Sequence, residues 1–151
     1  MSKQLRSTPC VGICSTTYGD LVCRGCNRFA HEIVAWNGYS DDQRARVWQR
    51  LLSLRDAATA LFVTVDDVGV LRAAGVAARL PRLPDDMSLL TLSYELLRRK
   101  ARDLEELSEV GLRPLRVDHV EPVAVRNAID AEFRIRSVAY YEHSFRTPVD
   151  S

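Results

Sequence analysis

Residues 8–54 read TPCVGICSTTYGDLVCRGCNRFAHEIVAWNGYSDDQRARVWQRLLSL, and they hold every cysteine of the 151-residue chain together with the start of its helical pattern. Cys10, Cys14, Cys23 and Cys26 are spaced C-x3-C-x8-C-x2-C, and no cysteine follows them. A chain that used cysteine as an ordinary small hydrophobe would scatter it, so the cluster reads as one tetrathiolate metal site. Between the two pairs, Gly19-Asp20 offers the positive-φ position and the side-chain acceptor of a tight reversal, which brings Cys10 and Cys14 back against Cys23 and Cys26.

The second pair, CRGCNR, has the form of a metal knuckle. A two-residue spacer lets both sulfurs face one ion, and Gly25 lets backbone N–H groups point at a thiolate. Four thiolates around a divalent ion carry net negative charge; Arg24 and Arg28 either offset it or are solvated surface arginines. Buried inert thiols and two disulfides are the competing readings of the cysteines, and a reducing compartment argues against the disulfides. The spacing leaves the metal open. Zinc accepts four cysteines at such spacers. Iron–sulfur clusters do too, although neither the bacterial nor the plant-type cysteine run is matched, which leaves zinc slightly ahead on spacing alone. His31 is either a partly exposed helix histidine, the favoured reading because four cysteines already complete a tetrahedron, or a donor to the site.

The same stretch resembles the bacterial domain-of-unknown-function family number 1289, whose members are described as predicted iron–sulfur proteins. The resemblance is carried by the Pro-Cys opening, the four cysteines, the C-R-G-C knuckle, the E-I-x-x-W segment (Glu32, Ile33, Trp36) and the S-x-x-Q helix start at Ser40. It implies a cysteine-bound centre and moves the preference to an iron–sulfur cluster, with one structural zinc ion as the alternative. It supplies no reaction.

Downstream of the knuckle, Phe29, Ile33 and Trp36 recur at helical spacing and form a face suited to covering the metal segment, with Asn37-Gly38 as its stop. Ser40 and Gln43 form a capping box for a helix carrying Val47, Trp48, Leu51, Leu52 and Leu54 and running to about Leu61. Arg46 and Arg50 lie one turn apart on its polar side. They invite a phosphate-binding reading, which a solvated helix face outweighs. FVTV (residues 62–65) is strand-like in isolation, but the preferred reading here is a short helix with Val68 and Leu71, closing at Gly75.

Pro81 and Pro84 mark a connection. From Ser88, LLTLSYELLRRKARDLEELSEV reads as one long helix ending before Gly111, with Leu89, Leu92, Leu96, Leu97, Leu104 and Leu107 as its stripe. Its charges, including Glu95 four residues before Arg99, read as a solvent face. A connector with room for one strand leads to Pro122, which suits the first turn of a last helix reaching about Phe145. Tyr140, Tyr141 and His143 read as packing with wet tips, rather than as acid–base groups.

The expected fold is mainly α: a small N-terminal four-cysteine knuckle packed on a compact bundle of about four to five helices. The alternative is α+β, with a C-terminal hairpin of residues 115–120 and 132–139. The organisation expected is residues 1–38 as the metal segment, 39–80 as the helical region completing the family-like domain, and 81–151 as a helical extension packed on it in one unit. The first 55 residues hold eight basic and four acidic side chains, so an anionic partner would meet that end. The opening MSKQLRSTPCVGIC lacks the apolar run of a signal peptide and nothing later approaches a membrane span, so the protein is expected in the cytoplasm. No G-x-G-x-x-G, Walker, G-x-S-x-G or H-E-x-x-H motif is present. The function expected is a non-catalytic iron–sulfur protein for electron transfer or redox sensing with a protein partner. A zinc-stapled module binding protein or nucleic acid is the alternative. An enzyme ranks last, because four cysteine ligands leave no open coordination position.

Overall fold

Ser40 opens the longest helical run of the N-terminal half. Its hydroxyl accepts from the Gln43 N–H (3.2 Å) while the Gln43 side chain accepts from the Ser40 N–H (2.8 Å), the reciprocal capping the sequence predicts. The computed structural model describes Pro9 and residues 14–80 and 88–146. Within these, α1 spans Ala30–Ala35, α2 Asp41–Ala60, α3 Val68–Ala77, α4 Leu89–Lys100 and α5 Pro122–Tyr141, and two strands, β1 (Val63–Val65) and β2 (Leu112–Pro114), pair antiparallel. The protein is mainly α. No described helix is long and apolar enough to cross a membrane.

The core forms where α2 packs on α4 and α5 and α3 packs on α4. Trp48 and Leu51 of α2, Leu92, Leu96 and Leu97 of α4, and Val125, Ile129 and Phe133 of α5 are all buried. Each such side chain contributes about 1.5–3 kcal/mol relative to exposure. The apolar stripes read from the sequence are the ones that pack. Ser88 caps α4 by accepting from the Leu90 N–H, Asp67 caps α3 by accepting from the Val70 N–H, and Pro122 takes the first turn of α5, where a missing N–H costs nothing.

Several expectations are corrected. Residues 63–65 are a strand, not the start of a helix: Val63 pairs with Pro114 and Val65 with Leu112. Pro114 sits where a two-stranded sheet tolerates a residue without an N–H. The helix that follows does not close at Gly75 but runs through Ala77. Gly75 is buried, and a Cβ there would stand 3.0 Å from the Leu92 side chain, so it serves the close approach of α3 to α4. Gly38 is not a left-handed stop; it ends a 3₁₀ turn, Trp36–Gly38.

The long helix expected from Ser88 to Gly111 breaks after Lys100 into a 3₁₀ turn, an extended Leu104 and a second 3₁₀ turn at Leu107–Val110. The break is held by Glu109, whose carboxylate accepts from the Glu105 and Glu106 N–H groups at 2.7 and 2.8 Å. It carries Leu107 and Val110 into the core. Residues 132–139 lie inside α5, which excludes the hairpin alternative. The connection at residues 81–87, with Pro81 and Pro84, lies outside the described residues.

Gly111 closes the second turn at φ 76°, and its carbonyl accepts from the N–H groups of Asp66 and Asp67. A Cβ there would fall 2.3 Å from the Asp67 carbonyl oxygen. Gly111→Ala is therefore expected to cost about 3 kcal/mol, measured as a lowered urea midpoint with an unchanged slope.

Candidate metal centre

The cysteine segment is built around two turns. Ser15–Tyr18 forms a 3₁₀ turn stopped by Gly19 at φ 99°, the positive-φ position anticipated for the reversal. Leu21 and Val22 then run out to a bridge between Val22 and Phe29, which frames the C-R-G-C turn. Inside that frame the Asn27 N–H donates to the Cys23 carbonyl (2.8 Å), with Asn27 in the left-handed region, and the Cys23 N–H donates to the Arg28 carbonyl (2.9 Å).

Ser15 joins the two turns. Its hydroxyl accepts from the Arg24 N–H at 2.7 Å, and its own backbone N–H donates to the Cys23 sulfur. The segment carrying Cys14 is thereby held against the knuckle. Nothing in the cysteine spacing singles out Ser15. Its position directly after a cysteine of the first pair is the only trace it leaves.

The two knuckle thiols are tuned in opposite directions. Burial opposes ionisation of Cys23, which is 1% exposed, but N–H groups of Cys26, Ser15 and Gly25 directed at its sulfur outweigh burial and lower its pKa. Burial dominates at Cys26 and raises its pKa, against a hydrogen bond from Arg28 Nε to the sulfur at 3.3 Å. At Cys14 the Thr16 hydroxyl, 2.9 Å away, is the main cause of a lowered pKa. A thiolate at Cys23 also raises the pKa of Cys14 and Cys26, as a lesser contribution.

The donor chemistry fits a thiophilic metal: soft sulfur ligands, with backbone N–H groups and one guanidinium placed to hold negative charge on them. Among the described residues no three His, Cys, Asp or Glu side chains converge as a metal site. Cys10, the remaining expected ligand, lies outside the described residues.

The other residues singled out from the sequence separate cleanly. Arg24 is exposed and pairs with Asp20 (3.1 Å). Gly25 supplies an N–H to Cys23. Arg28 is not a solvated arginine. It is buried, bound to Cys26, and stacked 4.8 Å over the Trp36 ring, so Trp36 reaches the knuckle through Arg28. His31 is exposed on α1, with its ring against Phe29 and Phe145 at 5.8 and 5.1 Å. Tyr140 and Tyr141 pack on Phe29, as read from the sequence.

Arg50 is the main correction. Instead of lying on a solvated face, it donates two hydrogen bonds to Glu32, at 2.5 and 2.7 Å, and its guanidinium lies 3.9 Å from the Phe29 ring centre. Glu32 also accepts from the Phe29 N–H at 2.8 Å. A second link comes from α5, where Arg134 donates to the Val22 carbonyl at 2.6 Å.

The assembly is a cysteine knuckle docked on helices by partly buried arginines. Residues 8–55, just under a third of the chain, match the model of the family described as "Protein of unknown function (DUF1289)", the family that the cysteine segment resembles. Neither curated proteins nor solved structures gave a match.

Removing Arg50 would leave the Glu32 carboxylate buried without its counter-charge. Arg50→Ala is expected to cost about 3–5 kcal/mol, and the paired change Glu32→Gln with Arg50→Met markedly less, as read from a double-mutant cycle of urea unfolding.

Proposed function

We propose that Cys10, Cys14, Cys23 and Cys26 hold an iron–sulfur cluster and that the protein is a non-catalytic cytoplasmic carrier or sensor of electrons for a protein partner. The observation that carries the reading is the environment of Cys23: three backbone N–H groups directed at a buried sulfur lower its pKa and so favour the thiolate that a metal binds. When bound, the cluster supplies one-electron redox chemistry, with a potential sensitive to hydrogen bonds at its sulfurs and to solvent exposure.

The chain's own residues would act on both factors. Arg28 donates to Cys26, and the Cys23 N–H donors hold negative charge in place. Phe29, fully buried beneath Tyr140, Tyr141 and Phe145, keeps water from one side of the knuckle. Four cysteine ligands leave no coordination position for a substrate, which is the ground for a non-catalytic role.

A zinc staple is the second reading, favoured by the same N–H donors to Cys23, which stabilise a zinc thiolate equally well. On that reading the protein is an interaction module.

The test is metal and acid-labile sulfide content with an absorption spectrum, on protein purified without oxygen. Iron, sulfide and visible colour are expected; one zinc per chain and no colour would replace the cluster by the staple. Cys23→Ser is expected to lose the metal in either case. Arg28→Gln is expected to retain it but to release it to a chelator about tenfold faster, with release followed by absorbance or a metal dye.

A further inference from the structure

Beneath the knuckle, where it faces α2, α4 and α5, lies a cavity of about 30 Å³ bordered by Gly25, Cys26, Trp48, Tyr94, Arg55 and Arg98. That volume accommodates about two waters, or one monatomic ion in their place. Apart from Cys26, the charged residues bordering it, among those described, are Arg55 and Arg98; no carboxylate does.

Arg55 is the deeper of the two, its side chain 7% exposed. One edge of its guanidinium meets Glu95, with Nη1 3.0 Å from the carboxylate, and its face lies 4.3 Å from the Tyr94 ring centre. Those contacts leave Nε and Nη2 buried without a hydrogen bond; Nε of Arg98 makes none either, with the Glu95 carboxylate 3.7 Å away. An unmet N–H of a charged group is costly to bury. Arg55, with two such N–H groups, and Arg98 line the same cavity, which is short of acceptors.

The local charge points the same way. Arg55, Arg98 and Arg99 all lie within 4 Å of the single Glu95 carboxylate. The next carboxylate, Asp130, already accepts from the Tyr94 hydroxyl. Three guanidinium groups against two carboxylates leave positive charge in excess.

We propose that this cavity binds a small inorganic anion of halide size, held by the N–H groups of Arg55 and Arg98. The site is distinct from the metal reading: it uses no sulfur as ligand and stands whether iron, zinc or neither occupies the cysteines. Its place between the knuckle and the helices makes the anion a tie between them.

The experiment is thermal unfolding of the full chain, as purified, in sodium chloride and in sodium gluconate at equal ionic strength. It is paired with chloride-35 NMR line broadening, since gluconate is too large for the cavity. The expected result is a saturable rise in the midpoint of about 3–6 °C at chloride ten times its dissociation constant, with broadening that follows the same curve.

Arg98→Gln, at a side chain 28% exposed, is expected to fold and to weaken chloride about tenfold. Arg55→Lys is the second variant and is expected to weaken it further. Equal midpoints in the two salts with no line broadening would mean that the cavity holds water only, which overturns the proposal. A chloride effect unchanged in Arg98→Gln would place the ion elsewhere and overturn it as well.

Discussion

The carboxylate of Glu32 does three jobs at one point. It accepts from the Phe29 N–H at the start of α1 and from two nitrogens of Arg50 on α2, and by fixing Arg50 it sets a guanidinium against the face of Phe29. Phe29 is in turn the ring on which Tyr140, Tyr141 and Phe145 close. The knuckle, the first helix, the long second helix and the end of the last helix therefore meet through a single buried ion pair. Such a pair is costly to desolvate and gains little stability over apolar residues of the same shape. What it adds is a fixed geometry, because the guanidinium fork admits one orientation of the carboxylate.

The same arrangement changes the meaning of the basic N-terminal end. Of its arginines, Arg28 is spent on Cys26 and Trp36, Arg44 on the Trp36 and Asn37 carbonyls, Arg50 on Glu32 and Arg55 on Glu95. Charges used inside the structure are not available to a phosphate backbone. Among the described residues, four of the six basic side chains up to Arg55 are internal wiring of the fold. Arg24, on Asp20, and Arg46 remain at the surface.

What the sequence made legible was local. The Ser40–Gln43 box, the proline at the start of α5, the glycine reversal at Gly19 and the apolar stripes of α2, α4 and α5 all follow from residues within one or two turns of each other. What it hid was set by distant partners. β1 has three residues, and its strand character depends on β2, which lies on the far side of α3 and α4. Arg50 looks solvated on a helical wheel because its partner lies 18 residues earlier. Glu95 looks like half of a surface pair with Arg99, yet it is 2% exposed and faces Arg55 across two helices. The cysteine spacing was plain, whereas Ser15 and the buried setting of Arg28 come from tertiary contacts that spacing does not encode.

The link from Arg134 to Val22 spans 112 residues. At a synthesis rate of about 5–20 residues per second, the partner for the knuckle arrives roughly 6–22 s after the knuckle itself. During that interval neither α5 nor the aromatic rings beyond it can cover the thiols. In the finished chain Cys23 and Cys26 are 1% and 7% exposed. The order of biosynthesis thus leaves the cysteines open to solvent for a time, followed by closure when the last helix docks.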